Sequence, residues 1–120
     1  MADIKVIIPA INEADSIGKV VSELPSHVSE IIVVDNGSED ETAAKARNAV
    51  ATVLTEKRKG YGYACLKGLE YVAKQSKQPD IIVFIDGDYS DYPEELDKVV
   101  APILENDVDF VVGARKKALR

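Results

Sequence analysis

Short apolar runs rich in β-branched residues alternate with stretches of helical period along the whole chain. Ile4 to Pro9 (IKVIIP) reads as a buried strand. Ile17, Val20, Val21 and Leu24 fall at i, i+3, i+4 and i+7, the inward stripe of a helix that Pro25 stops. Glu30 to Asp35 (EIIVVD) reads as the second strand. In the SEDE that follows it, Ser38 and Glu41 have the spacing of a capping box, which predicts a helix through TAAKARNAV with Ser38 as its N-cap. A weaker strand, ATVLTE, leads through KRKGYGY into a third helix with Cys65, Leu69, Val72 and Ala73 on one face. Asp80 to Asp86 (DIIVFID) is the fourth strand and the most hydrophobic. Pro93 suits the first position of a fourth helix, with Leu96, Val99, Val100, Ile103 and Leu104 as its core stripe and a kink at Pro102. Asp109 to Arg115 (DFVVGAR) reads as a fifth strand.

Strands that are apolar throughout, joined by helices, predict an α/β fold: a doubly wound, mostly parallel sheet with helices on both faces. In such sheets ligands bind beyond the carboxyl ends of the strands, near the point where strand order reverses. The unusual polar groups of this chain fall at those ends: PAINEAD after the first strand, DNGSED after the second, DGDYSD after the fourth and GAR after the fifth.

Composition narrows the classes of partner. At 120 residues the chain predicts a single domain, and 46% apolar with 30% charged residues is ordinary globular usage. A formal charge of −6 and a pI near 4.8 argue against nucleic acid, whose binders cluster Lys and Arg on one surface. One cysteine, Cys65, excludes a disulfide framework and a cysteine zinc site; one histidine, His27, excludes a His-rich metal site. No apolar run approaches the roughly 20 residues of a membrane span, so a cytoplasmic location is the default expectation.

The candidate chemistry lies in four segments. Asp86 and Asp88 flank Gly87, whose turn could aim both carboxylates into one cavity; two such carboxylates repel unless a cation bridges them. Mg²⁺ or Mn²⁺, hard ions that bind one or two carboxylates together with substrate phosphates, would resolve the repulsion. A solvated turn with helix-capping acids is the plainer explanation of the same residues. Asp35, Gly37 and Ser38 supply a carboxylate and a turn that could meet a nucleobase or ribose, or could only shape the turn. Pro9, Ala10, Asn12 and Glu13 offer a second polar loop, in which Asn12, Glu13 and Asp15 would serve equally as helix caps. Lys57, Arg58 and Lys59 precede Gly60-Tyr61-Gly62 at a helix start, an arrangement that suits an anion or an exposed basic loop. Arg115, past the fifth strand, could contact a phosphate.

Taken together and in this order, VIIPAINEADSI, IIVVDNGSEDET, KGYGYACLKGL, VFIDGDYSDYPEEL and DFVVGAR resemble family 2 of the nucleotide-sugar glycosyltransferases, the group that includes dolichol-phosphate mannosyltransferase-like enzymes. The resemblance spans about residues 4–116. It implies a GT-A fold, a UDP- or GDP-sugar donor, and a divalent metal, Mn²⁺ or Mg²⁺, held at the D-x-D of Asp86 and Asp88, which would be the catalytic pair. It also implies that Pro9, Ala10, Asn12, Glu13, Asp35, Gly37 and Ser38 receive the nucleoside, with Lys59, Gly60, Tyr61 and Gly62 close by. Transfer with inversion is the common outcome in the family. The chain departs from many relatives at Asn36, where they carry a second aspartate, and at Ser90, where some lipid-phosphate relatives carry a longer amide. Family catalytic domains continue well beyond 120 residues, so the chain is expected to be the donor-binding half. The acceptor, a lipid phosphate or a glycan by class, and the general base would lie in the other half, as would any membrane association. A half of this kind would expose apolar surface and favour self-association into a homo-oligomer. Two other readings compete. One is a module that binds nucleotide without catalysis. The other is a phosphorylatable receiver domain, which would need an acidic pair at the end of the first strand, where this chain has PAINE.

Overall fold

The computed structural model describes residues 3–85 and the backbone of 110–111. The predicted fourth helix, the D-x-D segment and the GAR segment lie outside the described residues. The elements in chain order are β1 (Ile4–Ala10), α1 (Ile17–Ser22), β2 (Glu30–Asp35), α2 (Thr42–Asn48), β3 (Thr52–Thr55), α3 (Tyr61–Ala73), β4 (Ile81–Phe84) and β5 (Phe110–Val111). They form one parallel sheet of order β3-β2-β1-β4-β5, the doubly wound arrangement that the alternation of runs predicts.

Two apolar layers hold the helices to this sheet. Strand residues alternate between its faces, so Ile4, Val6, Ile8 and Ala10 of β1 point to one side with Val33 of β2 and Val83 of β4. Ile17, Val20 and Val21 of α1 and Ala46 of α2 cover that side. Ile7, Ile32, Val34 and Phe84 point to the other, where Ala64 and Val72 of α3 meet them. The division follows from handedness. The β1-α1-β2 and β2-α2-β3 crossovers step the same way along the sheet, whereas β3-α3-β4 steps back across it, and right-handed connections then put α3 on the opposite face. Strand order therefore reverses between β1 and β4.

Helix α3 approaches the sheet closely. Its inner stripe is Ala64, Gly68 and Val72, with Cys65 and Leu69 half-buried beside it. Ala73, expected on the buried face, is exposed. The stripe is set by Gly68, where an added Cβ would lie 2.6 Å from Cγ2 of Ile7.

Proline at position 9 acts on one side of its strand only. β1 stays paired with β2 through Pro9↔Val34 and Ala10↔Asp35, one residue past the predicted end of the strand at Pro9. On the β4 side the last bond runs from the Ile85 N–H to the Ile7 carbonyl at 3.1 Å. The next bond of a parallel ladder would need a Pro9 N–H, which proline lacks. The two central strands thus stop pairing where the strand order reverses.

A polar cluster sits at the amino-terminal ends of the strands. Glu30 accepts hydrogen bonds from Lys5 Nζ at 2.8 Å, Tyr71 Oη at 2.6 Å, Thr52 Oγ1 at 2.9 Å and Gln75 Nε2 at 3.0 Å. Burial opposes its charge, but Lys5 and the three neutral donors outweigh that and hold the carboxyl down to about 2, from an ordinary 4.5. Because the folded carboxyl binds its proton less tightly than the unfolded one, this contribution is complete above pH 4.5 and is lost as pH falls from there towards 2. Glu30→Gln is expected to cost about 2 kcal/mol at pH 7 and to flatten the acid limb of the stability profile; urea titrations between pH 2.5 and 7 measure both. No helix among the described residues is long and apolar enough to cross a membrane.

Candidate active site

The carboxyl ends of β1, β2 and β3 release three loops, and the structure braces these loops to one another. β1 runs into Ile11–Ser16, where Asn12 has a φ of 53°, a left-handed conformation that asparagine tolerates better than most residues. Its backbone N–H donates to Ser38 Oγ at 2.9 Å, and its Oδ1 accepts from the Glu39 N–H at 2.8 Å. The Glu13 N–H donates to Thr42 Oγ1 at 2.8 Å and the Ala14 N–H to Asp40 Oδ2 at 3.2 Å. Four bonds thus tie the loop after β1 to the loop after β2 and the first residue of α2.

The predicted Ser38 cap is not formed. α2 starts at Thr42, and Asp40 Oδ1 accepts from the Thr42 N–H at 3.0 Å and from its hydroxyl, which holds the Asp40 carboxyl below the usual range. Ser38 is engaged elsewhere: its hydroxyl takes the Asn12 N–H and its own N–H donates to Asp35 Oδ1 at 3.0 Å. Asp35 therefore shapes the turn, with Gly37 in the left-handed region at φ 83°.

The third loop, residues 56–60, is pinned from below by Asn36, a side chain only 6% exposed. Its Nδ2 donates to the carbonyls of Glu56 at 2.9 Å and Arg58 at 2.8 Å, and its Oδ1 accepts from the Gly60 N–H at 3.0 Å. The basic run is less uniform than its sequence suggests. Arg58 makes two side-chain bonds to buried Glu56, at 3.1 and 2.9 Å, and its guanidinium stacks 4.5 Å from the centre of the Tyr63 ring. The arginine holds the Glu56 carboxyl down to about 2. Arg58 is a brace here, while the Lys59 ammonium reaches over Gly37, 4.0 Å from where a Cβ on that glycine would stand. Lys59, Gly60, Gly62, Tyr63 and Leu66 line an open cleft of about 350 Å³ at the start of α3.

Of the residues the sequence singles out, Pro9, Ala10, Asn12, Glu13, Asp35, Gly37, Ser38, Lys59, Gly60, Tyr61 and Gly62 all fall on this one edge of the sheet. Asp86, Gly87, Asp88 and Arg115 lie outside the described residues. β4 carries the chain to Ile85 at the same edge, next to β1, at the reversal point where doubly wound sheets take their ligands. The described residues hold no group of three or more His, Cys, Asp or Glu suited to a metal ion.

Comparison with known proteins decides the family. The description of glycosyl transferase family 2 matches residues 5–119. The chain belongs to glycosyl transferase family 2.

Among curated relatives, this family-2 chain is 35% identical over 117 residues to an uncharacterised protein of Methanocaldococcus jannaschii, covering 92% of this chain and 51% of the relative. It is 34% identical over 138 residues to the UDP-N-acetylglucosamine–dolichyl-phosphate N-acetylglucosaminyltransferase of Methanococcus voltae, covering 98% and 54% respectively. The chain thus spans about half the length of these curated relatives. Among solved structures it resembles glucosyl-3-phosphoglycerate synthase of Mycobacterium tuberculosis in complex with Mn²⁺, uridine diphosphate and glucosyl-3-phosphoglycerate. That likeness has a TM-score of 0.73 at 31% identity over 86% of this chain and 40% of the synthase. The expected GT-A class of fold is borne out by this similarity.

Among the residues that line the cleft at the start of α3, Lys59 is the one that carries a positive charge.

Proposed function

We propose that this chain forms the donor-binding part of a metal-dependent glycosyltransferase that takes a UDP-sugar and passes the sugar, with inversion, to an acceptor hydroxyl or phosphate. The observation that carries the reading is the joining of the three loops after β1, β2 and β3 into one rim at the reversal point, with Lys59 over Gly37 at its middle. UDP is favoured over GDP because the names of the M. voltae enzyme and the M. tuberculosis complex both carry uridine diphosphate.

In this reading the loop carrying Asn12 and Glu13 and the turn of Asp35 to Ser38 face the nucleoside, and Lys59 with the start of α3 faces the diphosphate. Asp86 and Asp88 would hold Mn²⁺ or Mg²⁺; a carboxylate pair is the oxygen donor set such ions take, and the M. tuberculosis synthase was crystallised with either ion and UDP. When bound, the metal supplies Lewis-acid stabilisation of negative charge on the departing nucleoside diphosphate. The side chain of Lys59 adds a second positive charge on the same ligand, and bonds to the Arg58 carbonyl and the Gly60 N–H fix the backbone on either side of it before the ligand arrives, which lowers the ordering cost of binding. Asp35 is already fixed by the Ser38 N–H, which presents its carboxylate in a defined direction.

Calorimetric titration of UDP, GDP and their common sugar conjugates into the chain, with Mn²⁺, Mg²⁺ or chelator, tests the reading. Metal-dependent binding of UDP ahead of GDP is the expected result. A folded chain that takes up no nucleotide with either metal would contradict it.

A further inference from the structure

We infer that the outer face of α3, with the loop that leads into it, is a docking surface for an anionic lipid membrane. The inference stands apart from the donor-site reading and begins with where the charge lies. Residues 1–50 carry four Lys and Arg against nine Asp and Glu, and residues 80–120 carry five against ten. Residues 51–79 carry six against two, a net +4 inside a chain of net −6. That segment is β3, the 56–60 loop, α3 and the turn after it, so the positive charge is gathered around the helix that covers one face of the sheet.

Helical geometry turns much of this charge outward. Ala64, Gly68 and Val72 are buried against the sheet, which leaves Tyr63, Leu66, Glu70, Ala73 and Lys74 on the opposite side, all of them exposed. Lys67 flanks this stripe two turns before Lys74. Tyr63 and Leu66, one turn apart, are 46% and 44% exposed, a large share for side chains of their size and apolarity. The loop joins the same surface: the Arg58 guanidinium stacks on the Tyr63 ring, and Lys59 shares with Tyr63 and Leu66 the cleft at the start of α3. Glu56 is buried and paired with Arg58 at 2.9 Å, and among the other charges of the segment five lysines stand against one acid, Glu70.

This composition selects the partner. An anionic headgroup layer attracts lysines that come close to it and takes a tyrosine and a leucine into its boundary with the acyl chains, while the long lysine stems keep their ammonium groups among the phosphates. A second copy of the chain would also offer acids, but lysine is depleted at protein–protein interfaces, whereas it is the ordinary cation of a helix face that lies on a membrane. With 13 residues α3 is too short to span a bilayer, so it lies along the surface.

Co-sedimentation with vesicles tests this. The native chain is expected to bind vesicles of equal parts phosphatidylcholine and phosphatidylglycerol about tenfold or more better than vesicles of phosphatidylcholine alone, and to be released as salt is raised. Lys67→Gln/Lys74→Gln and Leu66→Ser are each expected to weaken binding to the mixed vesicles about tenfold. Lys19→Gln/Lys45→Gln removes the same charge from exposed positions of α1 and α2, on the other side of the sheet, and is expected to stay within about twofold of the native chain. All these positions lie outside the core, so the variants should keep the native urea midpoint. Equal binding of the native chain to both kinds of vesicle, binding to neither, or equal loss in the two double variants overturns the inference. A dimer that forms without lipid and is lost in Lys67→Gln/Lys74→Gln gives the face to a second copy and overturns it as well.

Discussion

Asp88→Asn is expected to reduce UDP binding in Mn²⁺ to the level seen in chelator, a loss of about a hundredfold or more. An amide keeps the size of the carboxylate but carries no charge and is a poor ligand for a hard divalent ion. Removing a group that only orients a metal ligand already costs about 10–100-fold, so loss of a proposed direct ligand belongs at the upper end of that range or above it. Asp86→Asn is expected to behave alike. Lys59→Ala, by contrast, should weaken binding in Mn²⁺ and in chelator by the same factor, since its charge acts on the diphosphate whether or not the ion is present. Titrations of native and variant chains in the two media resolve the difference. Equal UDP affinity of native and Asp88→Asn chains in Mn²⁺ would remove Asp88 from the metal site.

Gly68→Val is expected to destabilise the fold by about 3 kcal/mol, a large share of the roughly 5–15 kcal/mol that holds a domain together. A Cβ at position 68 would stand 2.6 Å from Cγ2, 3.1 Å from Cδ1 and 3.3 Å from Cγ1 of Ile7. That isoleucine is fully buried at the centre of the sheet, paired to Ile32 on one side and Phe84 on the other. It is β-branched, so it cannot swing aside without leaving its rotamer. Gly68→Ala meets the same clash but gains about 1 kcal/mol of helix propensity, so its net cost should be about 1–2 kcal/mol. Ile7→Ala should be less damaging in the Gly68→Ala background than alone, because the new methyl occupies part of the space it vacates. Urea midpoints of the four chains measure the coupling; a Gly68→Ala chain as stable as the native one would mean that α3 can lift from the sheet at no cost.

The sheet was legible because its strands are apolar on both sides and their boundaries are marked by Pro, Gly and Asp. The expected first four strands all form, and parallel winding then carries their polar ends to one edge. Errors arose where a residue's partner is distant in sequence. Ser38 has the spacing of a cap, yet its hydroxyl is taken by Asn12, 26 positions away, and Asp40 accepts from the Thr42 N–H at the start of α2. Ala73 fits a helical stripe with Leu69 and Val72, but the helix rotates to put Gly68 on Ile7 and leaves Ala73 outside. Pro9 ends pairing towards β4 and not towards β2, a distinction that follows from which way its missing N–H would have pointed. In the site, sequence reasoning found the rim but not what braces it. Asn36 stands out in sequence as a departure from the aspartate of many relatives, and its hold on the 56–60 loop rests on loop carbonyls that no local pattern reveals. The basic run of Lys57, Arg58 and Lys59 suits an anion or an exposed loop in sequence, whereas Arg58 is committed to Glu56 and Tyr63; Glu56 two residues before Arg58 is the signal for it.

The central claim is that the rim formed by the loops after β1, β2 and β3 is where the donor nucleotide sits. Amide hydrogen exchange of the native chain with and without saturating UDP and Mn²⁺ tests it most directly. The account predicts protection confined to residues 10–13, 35–38 and 59–62, together with the segment that contains Asp86 and Asp88, and no change at the Glu30 cluster on the opposite edge. Protection that falls elsewhere, or that spares all three loops while titration shows UDP bound, would contradict it.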